Sequence, residues 1–303
     1  MAPSVIHIFF SDLHIGGSFD YRSFERFRLS TIRIVRGWPA VEKIYLYVLG
    51  DITDYQGIYR NQVTFLRGLW QLDAAAQILY DFVSSLAAVG KVEAVYLLPG
   101  NHDRRIAELA DNLELLRIKL ERFIESRWGR SARPPRVEQV EEGEIMHVGE
   151  RKVALYHMLV PRSSGSYSGG ITPRILAAGF EMLIERGCDM IICGHHHVAA
   201  VTPRVTLLPS FQYSKDPKFW RRGGLLLIES GGDVISIPVL FSQGFYREAD
   251  FFRDLMMYYF SRLSQAWGVI SKKTREALEE LYQKYGEEVV NEIIERIWPL
   301  ITH

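Results

Sequence analysis

The stretch VIHIFFSDLH, residues 5–14, joins a short apolar run to an acidic residue and a histidine. The run is rich in β-branched and aromatic residues, which predicts a buried strand over residues 4–10. Asp12 and His14 come directly after it, where the strand must end. The same arrangement recurs further along the chain, so this stretch sets the interpretation of the fold.

Five more short apolar runs predict strands, and stretches of helical periodicity separate several of them. The strands are expected at 43–49, 92–98, 152–158, 189–193 and 224–230. Helices are expected at 62–88, 106–127 and 172–187, the last with Thr172 as N-cap, Pro173 at the first helical position and Gly187 past its end. Strands that alternate with helices predict an α/β sheet with helices on its faces.

The composition changes near residue 243. No strand pattern follows Phe245, and residues 246–266 form a helical pattern with one apolar side. Two shorter helices separated by Gly286 are expected after it. We therefore expect a catalytic domain over 1–243 and a helical C-terminal extension over 244–303.

The overall composition is that of an ordinary globular protein. The 303 residues include 36 Lys+Arg and 36 Asp+Glu, so the formal net charge is zero and no global attraction to nucleic acid or acidic membranes exists. Two cysteines, Cys188 and Cys193, are too few for a secreted disulfide framework. No apolar run approaches the roughly 18–20 residues of a membrane span. These features predict a cytoplasmic protein without membrane contact.

Five of the predicted strands end at residues that bind metals. The segments are Asp12-Leu13-His14, Gly50-Asp51-Ile52-Thr53-Asp54, Gly100-Asn101-His102-Asp103, His157 and Gly194-His195-His196-His197. In an α/β sheet, ligands bind where strands end and loops begin. Any one segment alone is more often a solvated loop or a core residue, but their joint occurrence at strand ends indicates a metal site.

The donor types narrow the choice of metal. Carboxylate, amide and imidazole donors without a thiolate fit Mn²⁺, Fe or Zn²⁺, and fit Mg²⁺ less well. Seven candidate ligands exceed what one ion takes. They match two ions about 3.5–4 Å apart that share a bridging carboxylate, an arrangement that clamps the oxygens of an in-line phosphoryl displacement. Mn²⁺ is the expected metal.

The ordered motifs D-x-H, G-D-x-x-D, G-N-H-D/E, a lone H and G-H-x-H resemble the calcineurin-like metallophosphoesterase superfamily over roughly residues 4–240. The resemblance implies a four-layer α/β/β/α sandwich, here with a C-terminal helical appendage. It implies that the first metal is held by Asp12, His14 and His197. The second metal is then held by Asn101, His157 and His195, and Asp51 bridges both ions.

The same resemblance implies a mechanism. A metal-bridging hydroxide attacks phosphorus in line, His102 contacts the phosphate and protonates the leaving oxygen, and Asp54 orients His102. His196 occupies the variable position of its motif and is not expected to be a ligand, and His7 and His147 are expected to be structural.

A finer resemblance points to nucleic acid. Residues 54–62 are similar to the corresponding loop of the exonuclease subunit of the archaeal family-D DNA polymerase. Residues 11–17 are similar to the double-strand-break repair nuclease of the superfamily. The helices after 243 depart from the polymerase subunit. The expected activity is therefore a phosphodiesterase acting on DNA or RNA.

Local basic and aromatic residues supply candidate substrate contacts. Residues 215–222 interleave lysines and arginines with Phe219 and Trp220, which suits phosphate contact with base stacking. A second such group surrounds Trp128, and loop 161–170 is a candidate lid. The individual candidates are Arg104, Arg162, Tyr167, Lys218, Arg221 and Arg222.

Two alternative functions remain open. One is a phosphomonoesterase or a phosphodiesterase for nucleotides or other small molecules, which the zero net charge favours. The other is a non-catalytic scaffold subunit of a nucleic-acid-processing complex, against which the complete ligand set argues. The helical patterns 106–127 and 246–301 are candidate surfaces for a homodimer or protein partner. Packing on the sheet is the default for the first, and packing back on the catalytic domain is the default for the second.

Overall fold

The computed structural model describes residues 3–54, 65–66, 69–103, 112–129, 133–159 and 171–267. The helices are α1 (Tyr21–Gly37), α2 (Leu69–Ala87), α3 (Asn112–Arg127), α4 (Ile171–Arg186) and α5 (Glu248–Trp267). The strands are β1 (Ser4–Phe10), β2 (Val41–Leu49), β3 (Val92–Leu98), β4 (Arg136–Gln139), β5 (Ile145–Val148), β6 (Arg151–Tyr156), β7 (Met190–Cys193), β8 (Ala200–Val201), β9 (Val205–Leu207), β10 (Arg221–Ser230) and β11 (Asp233–Ser242).

The strands form two mixed sheets. The larger sheet has the order β11-β10-β1-β2-β3-β4. Strands β1 to β4 run parallel to one another, and β10 is antiparallel to both of its neighbours, β1 and β11. The smaller sheet has the order β5-β6-β7-β9-β8, with β6, β7 and β9 parallel. The carboxyl ends of parallel strands share one edge of their sheet, so each sheet presents its loops to a common rim.

Alternating side chains divide each strand between two apolar layers. On β1, Ile8 and Phe10 pack under α1 and α2, whereas Phe9 packs between the two sheets. On β7, Ile192 faces the larger sheet and Ile191 faces α4. The result is an α/β/β/α order of layers, which confirms the fold class predicted from the sequence.

The elements match the sequence prediction unevenly. The strands at 4–10 and 92–98 have the predicted bounds, and the other predicted strands are shifted by one to three residues at their ends. Helix α4 begins at Ile171, so Thr172 and Pro173 lie inside its first turn, and Gly187 beyond its end has a φ of +61°. Helix α1 and strands β4, β5, β8, β9 and β11 were not predicted.

The described C-terminal helix belongs to the main core. Leu255, Tyr259 and Leu263 of α5 are buried in the same apolar cluster as β1 and β2, and α5 packs along α2. The leucine stripe of α3 is also buried within the chain, at Leu113, Leu116 and Leu120. Within the described ranges, none of the helices combines the length and apolar character of a membrane span. The two helices predicted on either side of Gly286 lie outside the described residues.

Candidate metal centre

The predicted site is built where the two sheets meet. Beyond β1 and β2 the backbones stay paired, because Asp12 N donates to Gly50 O at 3.0 Å and His14 N donates to Asp51 O at 2.9 Å. Across the sheets, His195 N donates to Oδ2 of Asp12 at 2.8 Å. Loops from both sheets are thereby joined at one rim, and the seven predicted ligands belong to these loops.

The backbone at this rim is strained. Asp12, His14, Asp51, His195 and His197 all have φ between +49° and +65°, and the only other described non-glycine residue with a positive φ is Ala40. Residues other than glycine rarely adopt this left-handed backbone conformation, and such strain concentrates at functional sites. Asp12 and His14 are two residues apart and share one donor cluster, whereas His195 and His197, also two residues apart, belong to two neighbouring clusters.

The first cluster contains Asp12, His14 and His197. The Nε2 atoms of the two histidines lie 3.2 Å apart, and Nε2 of His197 lies 3.2 Å from Oδ1 of Asp12. Nδ1 of His14 lies 3.2 Å from Oδ1 of Asp54, which as a carboxylate accepts a hydrogen bond from it, so that Nε2 is the ring atom that faces the cluster. Oδ1 of Asp12 is buried and accepts no hydrogen bond of good geometry from the residues that the structure describes.

The second cluster contains Asp51, Asn101, His157 and His195. Nδ1 of His157 donates to Leu49 O at 2.9 Å, so Nε2 is the ring atom that faces the cluster. That atom lies 3.1 Å from Oδ1 of Asn101 and 3.3 Å from Oδ2 of Asp51. The His195 ring lies 5.1 Å from the His157 ring, and its buried Nδ1 has no hydrogen-bond partner among the described residues. These nitrogen and oxygen atoms converge on one point, where a metal ion can replace the imidazole protons.

Asp51 lies between the two clusters. Its Oδ2 is 3.3 Å from Nε2 of His157 and 3.9 Å from Nε2 of His14. Its Oδ1 accepts a hydrogen bond from His102 N at 2.8 Å. One carboxylate oxygen therefore faces both groups of imidazoles, and the backbone of the His102 loop fixes the other.

Burial and opposite charge control the electrostatics. Burial alone lowers the pKa of His14, but the hydrogen bond and charge of Asp54 with the charges of Asp51 and Asp12 raise it to about 9. Burial likewise lowers the pKa of His157, and the charge and hydrogen bond of Asp51 raise it to about 10. Burial raises the pKa of Asp12 and Asp51, yet the neighbouring histidines hold both pKa values below normal.

These charges leave room for a bound cation. Within the described part of the chain, neither Asp12 nor Asp51 pairs with a lysine or arginine, so imidazolium protons are their counter-charge. Buried carboxylates require such compensation. Divalent cations bound at these nitrogen and oxygen donors would supply it, and the residues present fit two such ions.

Comparison with known proteins places the chain in a family. The family profile described as calcineurin-like phosphoesterase matches residues 8–199. The chain belongs to the calcineurin-like phosphoesterase family. No curated protein matches it.

Among solved structures, this calcineurin-like phosphoesterase is similar to a double mutant of Vps29 from Entamoeba histolytica, with 15% identity, 79% of this chain and 99% of that chain covered, and a TM-score of 0.33. It is also similar to a predicted phosphoesterase from Streptococcus pneumoniae, with 11% identity, coverage of 80% and 100%, and a TM-score of 0.33. A third is the phosphopantetheinyl hydrolase of Mycobacterium tuberculosis, with 11% identity, coverage of 72% and 98%, and a TM-score of 0.33. Family and donor clusters together indicate divalent-metal binding by this phosphoesterase.

His102 lies beside the clusters. It is buried, its ring is 4.6 Å from the His14 ring in an edge-to-face arrangement, and its Nδ1 lies 2.8 Å from Oδ1 of Asp54. The Oδ1 atom of Asp54 therefore contacts both His102 and His14. Burial raises the pKa of Asp54, but its hydrogen bonds with His102 and His14 lower it to about 2.

Two buried residues for which the sequence motifs predicted no role fix the loops of this rim. Asp103 accepts from Thr53 N at 3.0 Å and from Gly100 N at 3.0 Å, so it ties the Asp51 loop to the His102 loop. Gln71 of α2 pairs with the backbone of Asp54, accepting from its N–H at 3.1 Å and donating to its carbonyl at 3.2 Å. Asp103 ends the third motif and was open to prediction, whereas no sequence signal marks Gln71.

Apart from Arg222, the predicted substrate contacts divide into three groups. Arg104, Arg162 and Tyr167 lie outside the described residues. Lys218 and Arg221 are exposed, and the Phe219 ring lies 6.5 Å from the His197 ring, so their segment borders the clusters. The residues around Trp128 instead line a cavity with Gly90 and Val92 at the start of β3, whereas Asn101 follows its other end.

Arg222 is a correction. The prediction makes it a substrate contact, but its side chain is fully buried. Its Nε lies 3.4 Å from Oδ2 of Asp20, and its guanidinium also donates to the side chain of Gln243 and the carbonyl of Phe219. Alternation along β10 turns this arginine inward, so it has no surface to offer to a phosphate.

Proposed function

We propose that this protein is a two-metal phosphodiesterase that cleaves polynucleotides. The observation that carries the proposal is the position of Asp51, with one carboxylate oxygen facing both His14 and His157. A shared carboxylate between two imidazole clusters matches a pair of ions that act on one phosphoryl group. All seven predicted ligands belong to the rim, which favours an enzyme over a scaffold subunit.

The assignment of ligands follows the clusters. Asp12, His14 and His197 would hold one divalent ion, and Asn101, His157 and His195 the other, with Asp51 between them. When bound, such a pair supplies Lewis-acid activation of water and of the phosphoryl oxygens. Mn²⁺ remains our proposed metal, with Fe, Zn²⁺ and Mg²⁺ as the ions to compare.

His102 would donate the proton to the leaving group. Because Asp54 accepts the hydrogen bond from Nδ1 of His102, Nε2 is the atom that carries a proton to the departing oxygen. The Asp54 carboxylate fixes the orientation of the ring. The same carboxylate orients His14, so the proton donor and one metal ligand share a single support.

The case for a polynucleotide rests on the rim segment 215–222. Asp216 caps the short helix Pro217–Phe219 through Lys218 N at 3.1 Å, which holds Phe219 beside His197. Nζ of Lys218 lies 4.7 Å from the centre of the Phe219 ring. A base stacked on an aromatic ring, with phosphates near Lys218 and Arg221, is a common mode of single-strand binding.

One observation favours a small phosphoester instead. Lys218 pairs with Asp216 at 2.8 Å and Lys215 pairs with Glu248 at 2.7 Å, so part of the basic charge of the segment is neutralised. The net charge of the chain is also zero. A smaller substrate would need the metal clusters and His102, and would not need the segment.

A substrate panel separates these functions. The full chain, loaded with Mn²⁺, is given bis-p-nitrophenyl phosphate, p-nitrophenyl phosphate, and labelled single- and double-stranded DNA and RNA. The proposal expects cleavage of the diester and of at least one polynucleotide, with the monoester much slower. Preference for the monoester would indicate a phosphomonoesterase, and bound metal without any turnover would indicate a scaffold.

A further inference from the structure

One hydroxyl group connects the C-terminal helix α5 to the loop that carries His14. Tyr259 is fully buried, and its hydroxyl accepts a hydrogen bond from Gly16 N at 2.8 Å and donates one to Gly17 O at 3.0 Å. These two glycines form the turn that follows His14. A residue 243 positions away from Gly16 in the chain therefore bonds to the backbone of both glycines.

The turn leaves little space for any other arrangement. Gly16 has a φ of +101°, and a Cβ on Gly17 would lie 1.8 Å from Oδ2 of Asp54. Gly17 N donates to His14 O at 3.0 Å, and Asp54 N donates to Ile15 O at 3.0 Å. A shift of the turn would consequently move His14 or press on Asp54.

A second helix holds the other side of the same structure. Gln71 of α2 pairs with the backbone of Asp54, and a Cβ on Gly16 would lie 2.4 Å from the Gln71 side chain. Helices α2 and α5 pack against each other. The Gly16–Gly17 turn is thus fixed between the Tyr259 hydroxyl and the Gln71–Asp54 pair.

We propose that Tyr259 is a positioning residue for the metal centre. Through the Gly16–Gly17 turn, its hydroxyl sets the position of His14 and the contact with Asp54, so the C-terminal helix is part of the site rather than an appendage. Without the hydroxyl, Gly16 N would lose the partner that the described residues give it and Gly17 O would keep only the hydrogen bond from Phe19 N at 3.0 Å, so the turn would move to satisfy Gly16 N. The expected effect on metal binding rests on the proposed function, whereas the expected effect on the His14 ring does not.

Tyr259→Phe in the full chain tests the proposal, and Tyr258→Phe is the matched control. The Tyr258 hydroxyl lies on the same helix but donates to Oε1 of Glu25 at 3.0 Å. Two readouts are needed: Mn²⁺ binding to the metal-stripped protein by calorimetry, and the imidazole NMR signals of His14 in the metal-free state. Tyr259→Phe should lower the affinity for one of the two Mn²⁺ ions by about tenfold, as the loss of a residue that supports a metal ligand does, and leave the affinity for the other ion unchanged. It should also shift the His14 signals.

The control should match the wild type in both readouts. Unchanged Mn²⁺ affinity with unchanged His14 signals in a folded Tyr259→Phe protein would overturn the proposal. So would equal effects of the two tyrosine variants, because they would indicate a general loss of packing. If the wild type bound no Mn²⁺, the proposed function would fail. The His14 signals of the metal-free variants would still decide whether Tyr259 positions the ring.

Discussion

Oδ1 of Asp54 lies 2.8 Å from Nδ1 of His102, and the same oxygen lies 3.2 Å from Nδ1 of His14. The proposed proton donor and a proposed metal ligand therefore depend on one buried carboxylate. Removing His102 and removing the charge of Asp54 should have different consequences, which makes the roles of the two residues separable.

The His102→Ala protein should still bind the metals, but it should lack the group that donates a proton to the leaving oxygen. General acid catalysis contributes about 10²–10⁴-fold, so cleavage of a dinucleotide with a poor leaving group should fall by that order. Bis-p-nitrophenyl phosphate should suffer much less, because its leaving group needs no proton. An equal loss on both substrates, measured as kcat/KM, would contradict the acid role.

Asp54→Asn should affect both neighbours at once. It weakens the support of His102 and also that of His14, so we expect a loss of activity together with roughly tenfold weaker binding of one Mn²⁺ ion. Calorimetry on the metal-stripped protein measures the second effect. Full metal affinity in Asp54→Asn would mean that His14 does not depend on this carboxylate.

Asp51→Asn should remove both ions. Two divalent ions close together repel each other, and the substitution removes the one negative charge that faces both clusters. Metal analysis after dialysis should show less than one ion per chain, with no turnover of bis-p-nitrophenyl phosphate. Asp233→Asn, an exposed position on β11, is the matched control and should retain both. Two tightly bound ions in Asp51→Asn would refute the bridging assignment.

The metal-free site should respond to alkaline pH. The pKa values of His14 and His157, about 9 and about 10, are raised above the ordinary histidine value of 6.5. Their contribution to stability is therefore complete below pH 6.5 and is lost as pH rises through 9 and 10. The melting temperature in EDTA should fall over this range, and fall less steeply in His157→Gln.

The same two protons must leave when metal binds. At pH 7.5 both histidines are charged in the metal-free protein, so loading should release about two protons per chain. Calorimetry in buffers of different ionisation enthalpy counts them. Metal binding without proton release would show that these imidazoles are not the ligands.

The segment 215–222 should separate polynucleotide from small substrate. Lys218→Ala with Arg221→Ala should slow cleavage of single-stranded DNA or RNA and flatten its salt dependence, because each phosphate contact adds to the salt slope. Phe219→Ala should slow polynucleotide cleavage at every salt concentration. Turnover of bis-p-nitrophenyl phosphate should stay the same in these variants. Unchanged polynucleotide cleavage across a salt series would remove this segment from the substrate path.

Arg222 should behave as a structural residue. Its removal leaves Asp20 buried without its cation, and breaking a buried pair in this way costs about 3–5 kcal/mol. Arg222→Ala should therefore lower the free energy of unfolding by that order, as measured by urea denaturation. A stable Arg222→Ala protein with reduced polynucleotide cleavage would return Arg222 to the surface role that the sequence suggested.

The sequence predicted those features of the structure that depend on a local pattern of residues. Short apolar runs ending in Asp, Asn or His showed both the strands and the rim, because parallel strands must present their carboxyl ends together. Helix α1 was missed although Asp20 accepts from Ser23 N at 3.2 Å as its cap, since the apolar residues Phe24, Phe27 and Val35 are outnumbered by charged neighbours.

Long-range contacts could not be predicted in the same way. Tyr259 and Gln71 touch the site only because α5 and α2 pack beside it, and neither belongs to a motif. The direction of Arg222 depends on the register of β10 within the sheet, which the interleaved basic and aromatic pattern does not contain. Gly16 and Gly17 allow a tight turn, but they carry no information about the residue that bonds to it.

Titration of the metal-stripped protein with Mn²⁺ tests the central claim most directly. Bound Mn²⁺ and turnover of bis-p-nitrophenyl phosphate are followed together in the same samples. Two equivalents should bind per chain, and turnover should appear only as the second equivalent fills. Turnover that is complete at one equivalent, or that persists in the metal-stripped protein, would contradict the two-metal site.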